Sequence, residues 1–248
     1  MNAVTSSPNA NGDGIPEARV VLATRSAGKV KELVPLLGAV GVHVLTLADL
    51  GLPESPEEDA LEAFDTFEAN ALAKARYFAR LTGEIVLADD SGLSVDALGG
   101  RPGVHSKRWS GRIDLEGAAL EAANNAYLQE ALRVAHRDAY AAGALSEPAS
   151  RRARYVCAAA CAWDGGADGC DAVARGETTG AMLTTERGIG GFGYDPYFLS
   201  DDLGATFAEV TREAKATVSH RGRAFAALLR LEAVRARLQQ LHATRVSL

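Results

Sequence analysis

Two adjacent carboxylates stand in the run Leu87-Ala88-Asp89-Asp90-Ser91-Gly92-Leu93-Ser94-Val95-Asp96. At the end of an apolar strand such a pair needs a cation or good donors, because clustered negative charge is costly in a partly dry cleft. Side chains alternate along a strand, so one Asp points into the cleft and its neighbour faces away. Oxygen ligands of this kind suit a hard cation such as Mg2+, which keeps several of its waters. The residues Asp89 to Gly92 also suit an ordinary turn, and both readings stay open at this point.

Four more segments carry polar residues where elements begin or end. In Ala23-Thr24-Arg25-Ser26-Ala27-Gly28-Lys29 a strand, a tight turn and a helix start bring free backbone N–H groups and the helix dipole to one point, which suits a phosphate. Lys29 adds a mobile charge, and Thr24 and Ser26 add hydroxyls. This is not a Walker A loop, since its leading Gly is absent and Val30 replaces Ser or Thr; an ordinary strand-to-helix turn is the alternative. Asn70 and Lys74, four apart, share one helix face, either reaching a phosphate or simply solvated. Gly188-Ile189-Gly190-Gly191-Phe192-Gly193-Tyr194-Asp195-Pro196 contains a G-x-G-x-x-G string. A dinucleotide fingerprint would follow a strand and open a helix, whereas Pro196 drives Asp195 towards an extended conformation. The glycines instead leave room for a flat ligand, with Phe192 stacking on a base and Asp195 accepting from its N–H groups; a Gly-rich hairpin with core aromatics is the bland alternative. Finally, Lys215, Ser219, His220 and Arg221 form a compact donor set for phosphate and a purine edge, on what reads as a polar loop.

The elements that must position these groups follow from pattern. Arg19 to Thr24 reads as a buried strand, and Lys29 to Leu37 as a helix that starts late or kinks at Pro35. Val42 to Leu45 is a second strand, and Glu54 to Asp65 is mostly an acidic loop. Asp65 or Thr66 caps a helix over Phe67 to Leu81, with Glu68 placed for a capping box on Asp65 and Gly83 as the stop. Glu84 to Ala88 is a strand running into the carboxylate pair. Residues 115 to 150 are helical in character and fray near Gly143 to Pro148. Tyr155 to Trp163 and Gly169 to Gly180 pair as antiparallel strands across the turn Asp164-Gly165-Gly166. Phe225 to Leu241 closes the chain as one amphipathic helix. Early alternation and a later hairpin predict an α/β fold with a mixed sheet.

Composition narrows the class. A chain of 248 residues, 47% apolar, supports one core, or one core in two lobes, and hardly a second independent domain. A net charge of -6 argues against coating a polyanion such as nucleic acid, so any phosphate affinity is local. Three cysteines, Cys157, Cys161 and Cys170, lack metal-site spacing and read as plain buried thiols in a reducing, cytoplasmic setting. No run approaches the length of about 20 apolar residues that a membrane span needs. Met1 to Ala18 reads as a disordered leader without a secretory pattern, and residues 19 to 248 as a single catalytic domain.

Taken in order, Leu22 to Lys29, Thr66 to Ala75, Ala88 to Ser106, Gly191 to Pro196 and Ser219 to Arg221 resemble the inosine triphosphate pyrophosphatase family, the RdgB/HAM1 family of noncanonical purine NTP pyrophosphatases. The resemblance covers about residues 19 to 237. It implies an elongated fold with a long central mixed sheet flanked by helices, two lobes around an active-site cleft, and a homodimer. It also implies hydrolysis of ITP, dITP and XTP to the monophosphate and pyrophosphate, which cleanses the nucleotide pool. Asp90 would be the catalytic carboxylate and, with Glu62, a ligand of Mg2+ or Mn2+; Asp89 would support it, and Glu58 is a second candidate because the acidic loop is long. Thr24 to Lys29, Lys74, Ser91 and Lys215 would hold the triphosphate, and Phe192, Gly193, Tyr194, Asp195, His220 and Arg221 the base. The chain departs from the pattern at Ser26, where the family usually has Asn, at Trp109, where Tyr is common, and in the longer stretch 112 to 154. The rivals are a broader-specificity metal-dependent NTP pyrophosphohydrolase and a non-catalytic nucleotide-binding protein; the intact Asp89-Asp90 pair disfavours the latter.

Overall fold

Val20, Val21 and Leu22 lose all contact with water because their strand has a neighbour on each side and a layer on each face. The computed structural model describes residues 18–141, 151–164 and 170–246. Strand β1 (Ala18–Ala23) leads through helix α1 (Ala27–Gly38) to β2 (Val42–Thr46), then through α2 (Phe67–Thr82) to β3 (Val86–Val95). Helix α3 (Gly117–Ala141) precedes the strands β4 (Arg152–Trp163), β5 (Cys170–Met182) and β6 (Phe198–Ser200). Helices α4 (Arg212–Val218), α5 (His220–Arg230) and α6 (Glu232–Val246) follow. The sheet order is β2-β1-β3-β4-β5-β6, parallel across β2, β1 and β3 and antiparallel from β3 onward. The parallel pairs require crossovers, which α1 and α2 supply. This is the expected mixed sheet flanked by helices.

Strand alternation sorts the core into two faces. Leu87, Cys157 and Ala159 face α1, α5 and α6, meeting Leu33, Leu37, Phe225, Leu228 and Val234. Val86, Ala88, Val156 and Ala158 face α2, meeting Phe67, Ala71, Ala75 and Phe78. A third cluster, with Leu93, Val95, Leu128, Leu132, Tyr155, Phe198 and Phe207, gathers beneath α3 at the far end of the long strands and forms the second lobe. Among the described residues, no helix is long and apolar enough to cross a membrane.

Several expectations need correction. The carboxylate pair is not at the end of β3, nor a turn: the strand continues to Val95, because Asp89 through Val95 stay paired with Ala159 through Ala153 of β4. The strand end that matters is that of β1, whose last partner is Ala23 opposite Ala88. Helix α1 begins at Ala27, not late, and Pro35 is carried inside it because Leu33 and Leu37, both fully buried, anchor the turns on either side. Thr66, not Asp65, caps α2 by accepting from Ala69 N at 3.2 Å, so Glu68 falls in the wrong place for a capping box and pairs with Arg175 at 2.9 Å instead. The acidic loop contains a 3₁₀ turn over Pro56–Glu62. The closing helix is two: Leu231 is extended (φ -61°, ψ 130°) and separates α5 from α6, which bury Leu228 and Val234 separately. Lys215 and His220 lie on α4 and α5, not on a loop. Gly165 and Gly166, like Met1 to Glu17 of the leader, lie outside the described residues; Ala18 already opens β1.

Helix α5 crosses β5 in backbone contact at Gly176, where an added Cβ would lie 2.3 Å from both Ala224 N and the His220 carbonyl. Because backbone cannot give way as a flexible side chain can, Gly176→Ala is expected to cost about 2 kcal/mol. Gly38→Ala, in open space on α1, is expected to be neutral or slightly stabilising. Urea unfolding of the two variants checks the contrast.

Candidate active site

Where β1 stops, β3 loses a neighbour, and two lysines from opposite sides of the sheet enter the gap. Lys74 Nζ, from α2, donates to the Asp89 carbonyl at 2.7 Å, and Lys29 Nζ, from the first turn of α1, reaches the same carbonyl at 3.4 Å. Lys74 also pairs with Glu62 at 2.7 Å and lies 4.0 Å from Asp90. Asn70, one turn earlier on α2, donates to Asp90 Oδ2 at 2.8 Å and accepts from Phe64 N at 2.9 Å, which fixes the amide. The two carboxylates divide as strand alternation requires. Asp90 and Glu62 share the α2 side, while Asp89 turns to the α1/α5 side, where Lys29 meets it at 3.0 Å and Arg221 at 3.2 Å.

Environment separates the two acids chemically. Burial pushes Asp89 up, but Lys29, Arg221 and Lys74 outweigh it and hold this carboxyl well below the usual range. Asp90 goes the other way: burial pushes it up, Glu62 adds to that, and Lys74, Lys29 and Asn70 offset only part. Glu62 is half-buried, and although that desolvation pushes it up the Lys74 ammonium holds it low. Lys74 is kept charged against burial by Glu62, Asp90 and Asp89. Asp90 is thus the member of the group whose charge is least compensated.

The residues expected to meet the base form a second charged knot. Glu32, on α1, binds Lys215 at 2.8 Å and makes a short contact with Arg221 Nη1. Lys215 Nζ lies 2.6 Å from Asp195, and Arg221 donates to Ser91 Oγ at 2.8 Å. Burial alone would raise Glu32; Arg221 and Lys215 hold it low. Asp195 accepts from Phe192 N at 3.0 Å, closing its own loop, so its carboxylate is an internal clamp in this state. Phe192 lies against the turn that opens α1, its ring 3.1 Å from a Cβ placed on Gly28, with Lys215 4.9 Å from the ring centre. Tyr194 donates to the Ser106 carbonyl at 2.8 Å and Asn125 to the Gly193 carbonyl at 2.9 Å, so both tie the loop to the second lobe. His220 is buried and pushed well below its ordinary value by burial and by Arg221 and Lys215, hence neutral.

Not every expected contact is brought together. Arg25 turns away to Glu58, at 2.6 Å, and to the carbonyls of Leu52 and Pro53, so both residues brace the acidic segment and Glu58 lies apart from Asp90 and Lys74. Ser26 caps α1, accepting from Lys29 N at 3.4 Å, and Thr24 accepts from Ser26 N at 3.2 Å. Ala27 and Gly28 form the first turn of α1. Three participants escaped sequence reasoning: Glu32, Tyr155 and Cys157, the last 3.8 Å from Asp89 Oδ2. Glu32 lies one helical turn after Lys29, a signal that could have found it; the other two sit in an apolar strand without a local signature.

The fold and the cluster define an α/β protein with an ionic cleft at the carboxyl ends of parallel strands, the usual place for a phosphate-bearing ligand in such sheets. The chain belongs to the Ham1 family, whose profile matches residues 20–231. It is similar to a protein of Thermus thermophilus named dITP/XTP pyrophosphatase, 44% identical over 211 residues, covering 85% of this chain and 90% of that one. A protein of the same name from Frankia alni is 45% identical over 207 residues, covering 84% and 93%. Among solved structures, a HAM1 protein from Coxiella burnetii aligns with TM-score 0.66 at 29% identity, covering 93% of this chain and 100% of that one. A nucleoside-triphosphatase, dITP/XTP pyrophosphatase, from Mycobacterium abscessus aligns with TM-score 0.60 at 39% identity, covering 86% and 100%.

Removing Glu32 leaves Lys215 and Arg221 buried with less compensation, so Glu32→Gln is expected to cost about 3 kcal/mol at pH 7. The folded carboxyl titrates below its unfolded value of about 4.3, so its contribution is present above that pH and lost as pH falls through the folded value. The gap between wild type and variant should therefore narrow between about pH 5 and pH 3, as urea unfolding at several pH values will read.

Proposed function

We propose that the chain hydrolyses noncanonical purine nucleoside triphosphates, ITP, dITP and XTP, to the monophosphate and pyrophosphate. The names of the relatives supply the substrate class. The observation that carries the chemistry is the Glu62–Lys74–Asp90 group beside the strand-to-helix turn at Lys29.

The donor set suits a divalent cation. Lys29, Lys74, Lys215 and Arg221 face Glu32, Glu62, Asp89, Asp90 and Asp195, which leaves one carboxylate in excess, and Asp90 is the one driven up. Glu62 and Asp90 offer two carboxylates, the number and kind of protein ligand that Mg2+ takes alongside its waters and phosphate oxygens. Glu62 and Asp90 would hold it, and the chemistry such an ion would supply there is Lewis-acid charge for the phosphate and a lowered pKa for a water.

The chain's own residues do the rest. The start of α1 and Lys29 receive phosphate oxygens, and Lys74 and Lys215 add charge where the leaving pyrophosphate develops it. Asp90, aimed by Asn70, accepts a proton from the attacking water. The water oxygen bonds to the α-phosphorus as the α–β bridging bond breaks and pyrophosphate departs. Arg221 as donor and Asp195 as acceptor suit a purine with a 6-keto group and N1–H and oppose adenine, whose 6-amino group and bare N1 reverse the pattern. Phe192 and His220 would flank the base. As in the family resemblance, the unit would be a homodimer in the cytoplasm.

Asp90→Asn is expected to lower turnover by at least about 100-fold while leaving thermal unfolding near wild type; near-normal turnover would remove Asp90 from the mechanism. In a panel of ITP, dITP, XTP, ATP, GTP and dTTP with pyrophosphate detection, the first three should be cleaved fastest and EDTA should abolish the reaction. Equal rates across the panel would favour the broader pyrophosphohydrolase, and conversion of ITP no faster with magnesium than without would overturn the reading.

A further inference from the structure

Tyr155, buried near the start of β4, lies outside every segment that sequence reasoning marked for chemistry, yet it touches both Asp195 and His220. Its hydroxyl donates to Asp195 Oδ1 at 3.2 Å, whereas Phe192 N and Lys215 both use Oδ2. Its ring stacks on His220, centroids 4.7 Å apart and planes 10° from parallel, and is backed by Phe198 at 4.7 Å and Phe207 at 5.8 Å. A phenylalanine would make all the ring contacts, so packing does not account for the oxygen, and a buried hydroxyl costs stability unless it is paired. Burial and the Asp195 charge push the phenol well up, which keeps it a donor across the physiological range.

We propose that Tyr155 is a positioning residue for purine selection. From a rigid strand paired on both edges, its hydroxyl sets the carboxylate plane of Asp195, and with it the loop from Gly191, while its ring sets the plane of His220. Without the hydroxyl, Asp195 is held from Oδ2 alone and swings with Lys215, a flexible side chain shared with Glu32. Tyr155 shows no contact with Lys29, Lys74 or Asp90 among the described residues and reaches Lys215 only through Asp195, so its effect falls first on base discrimination. This inference rests on the proposed function.

The test is Tyr155→Phe, which keeps the ring. KM for ITP is expected to rise about five- to tenfold with kcat within about twofold, and the preference for ITP over ATP in kcat/KM to fall by the same factor. A wild-type KM and preference would overturn the proposal, as would a fall in Tm and kcat with KM unmoved, the signature of a purely structural role. Calorimetric binding of inosine monophosphate against adenosine monophosphate separates this from the hydrolysis itself. If the wild type cleaves no ITP, the function reading fails. The monophosphate preference then decides Tyr155 alone, supporting it if the Phe variant loses the preference and overturning it if the preference is absent or unchanged.

Discussion

Lys74 sits in the gap where β1 ends, with Glu62 and the Asp89 carbonyl each at 2.7 Å and Asp90 at 4.0 Å. A buried ammonium without such partners would deprotonate, and the two acids without it would repel each other in a dry site. Each therefore requires the others, and the surroundings serve to hold them there. Helix α2 presents Asn70 and Lys74 one turn apart, the 3₁₀ turn ends on Glu62, and β4 keeps Asp90 in an extended strand across ten paired positions of β3.

Charge on the opposite face answers the same constraint in another way. Asp89, Glu32, Lys215, Arg221 and Asp195 interlock so that α1, β3, α4, α5 and the glycine loop share one ionic core. Ion pairs this deep are poor sources of stability compared with well-packed apolar side chains. Their worth lies in orientation and in leaving partners to exchange: under the proposed function an arriving polyphosphate would offer oxygens to the same lysines, and a base would offer donors and acceptors to the same Arg and Asp.

The two faces differ in what they leave uncompensated. Asp89 is held far down by three cations, whereas Asp90 is driven up. Adjacent residues of one type thereby meet different surroundings, because strand alternation sends them into different layers, and under the proposed function only Asp90 would be the reactive acid.

Much of this was legible in residue order. The apolar run before Asp89, the Gly28-Lys29 turn, the Asn70/Lys74 spacing and the Ser219-His220-Arg221 string are local patterns, and local patterns report what a strand, a turn or one helix face will present. The ends of elements were less legible, since burial of Leu33 and Leu37 overrode Pro35 and pairing with β4 overrode the turn chemistry of Asp89 to Gly92. Glu32, Tyr155 and Cys157 belong to the site only because α1, β4 and β3 are brought against one another, and Arg25 leaves it because Glu58 lies closer to hand. The sequence by itself determined which chemistry was present and on which kind of element. Only the tertiary structure decided which groups meet, because contacts between residues far apart in the chain depend on sheet order and packing, and no local spacing encodes those.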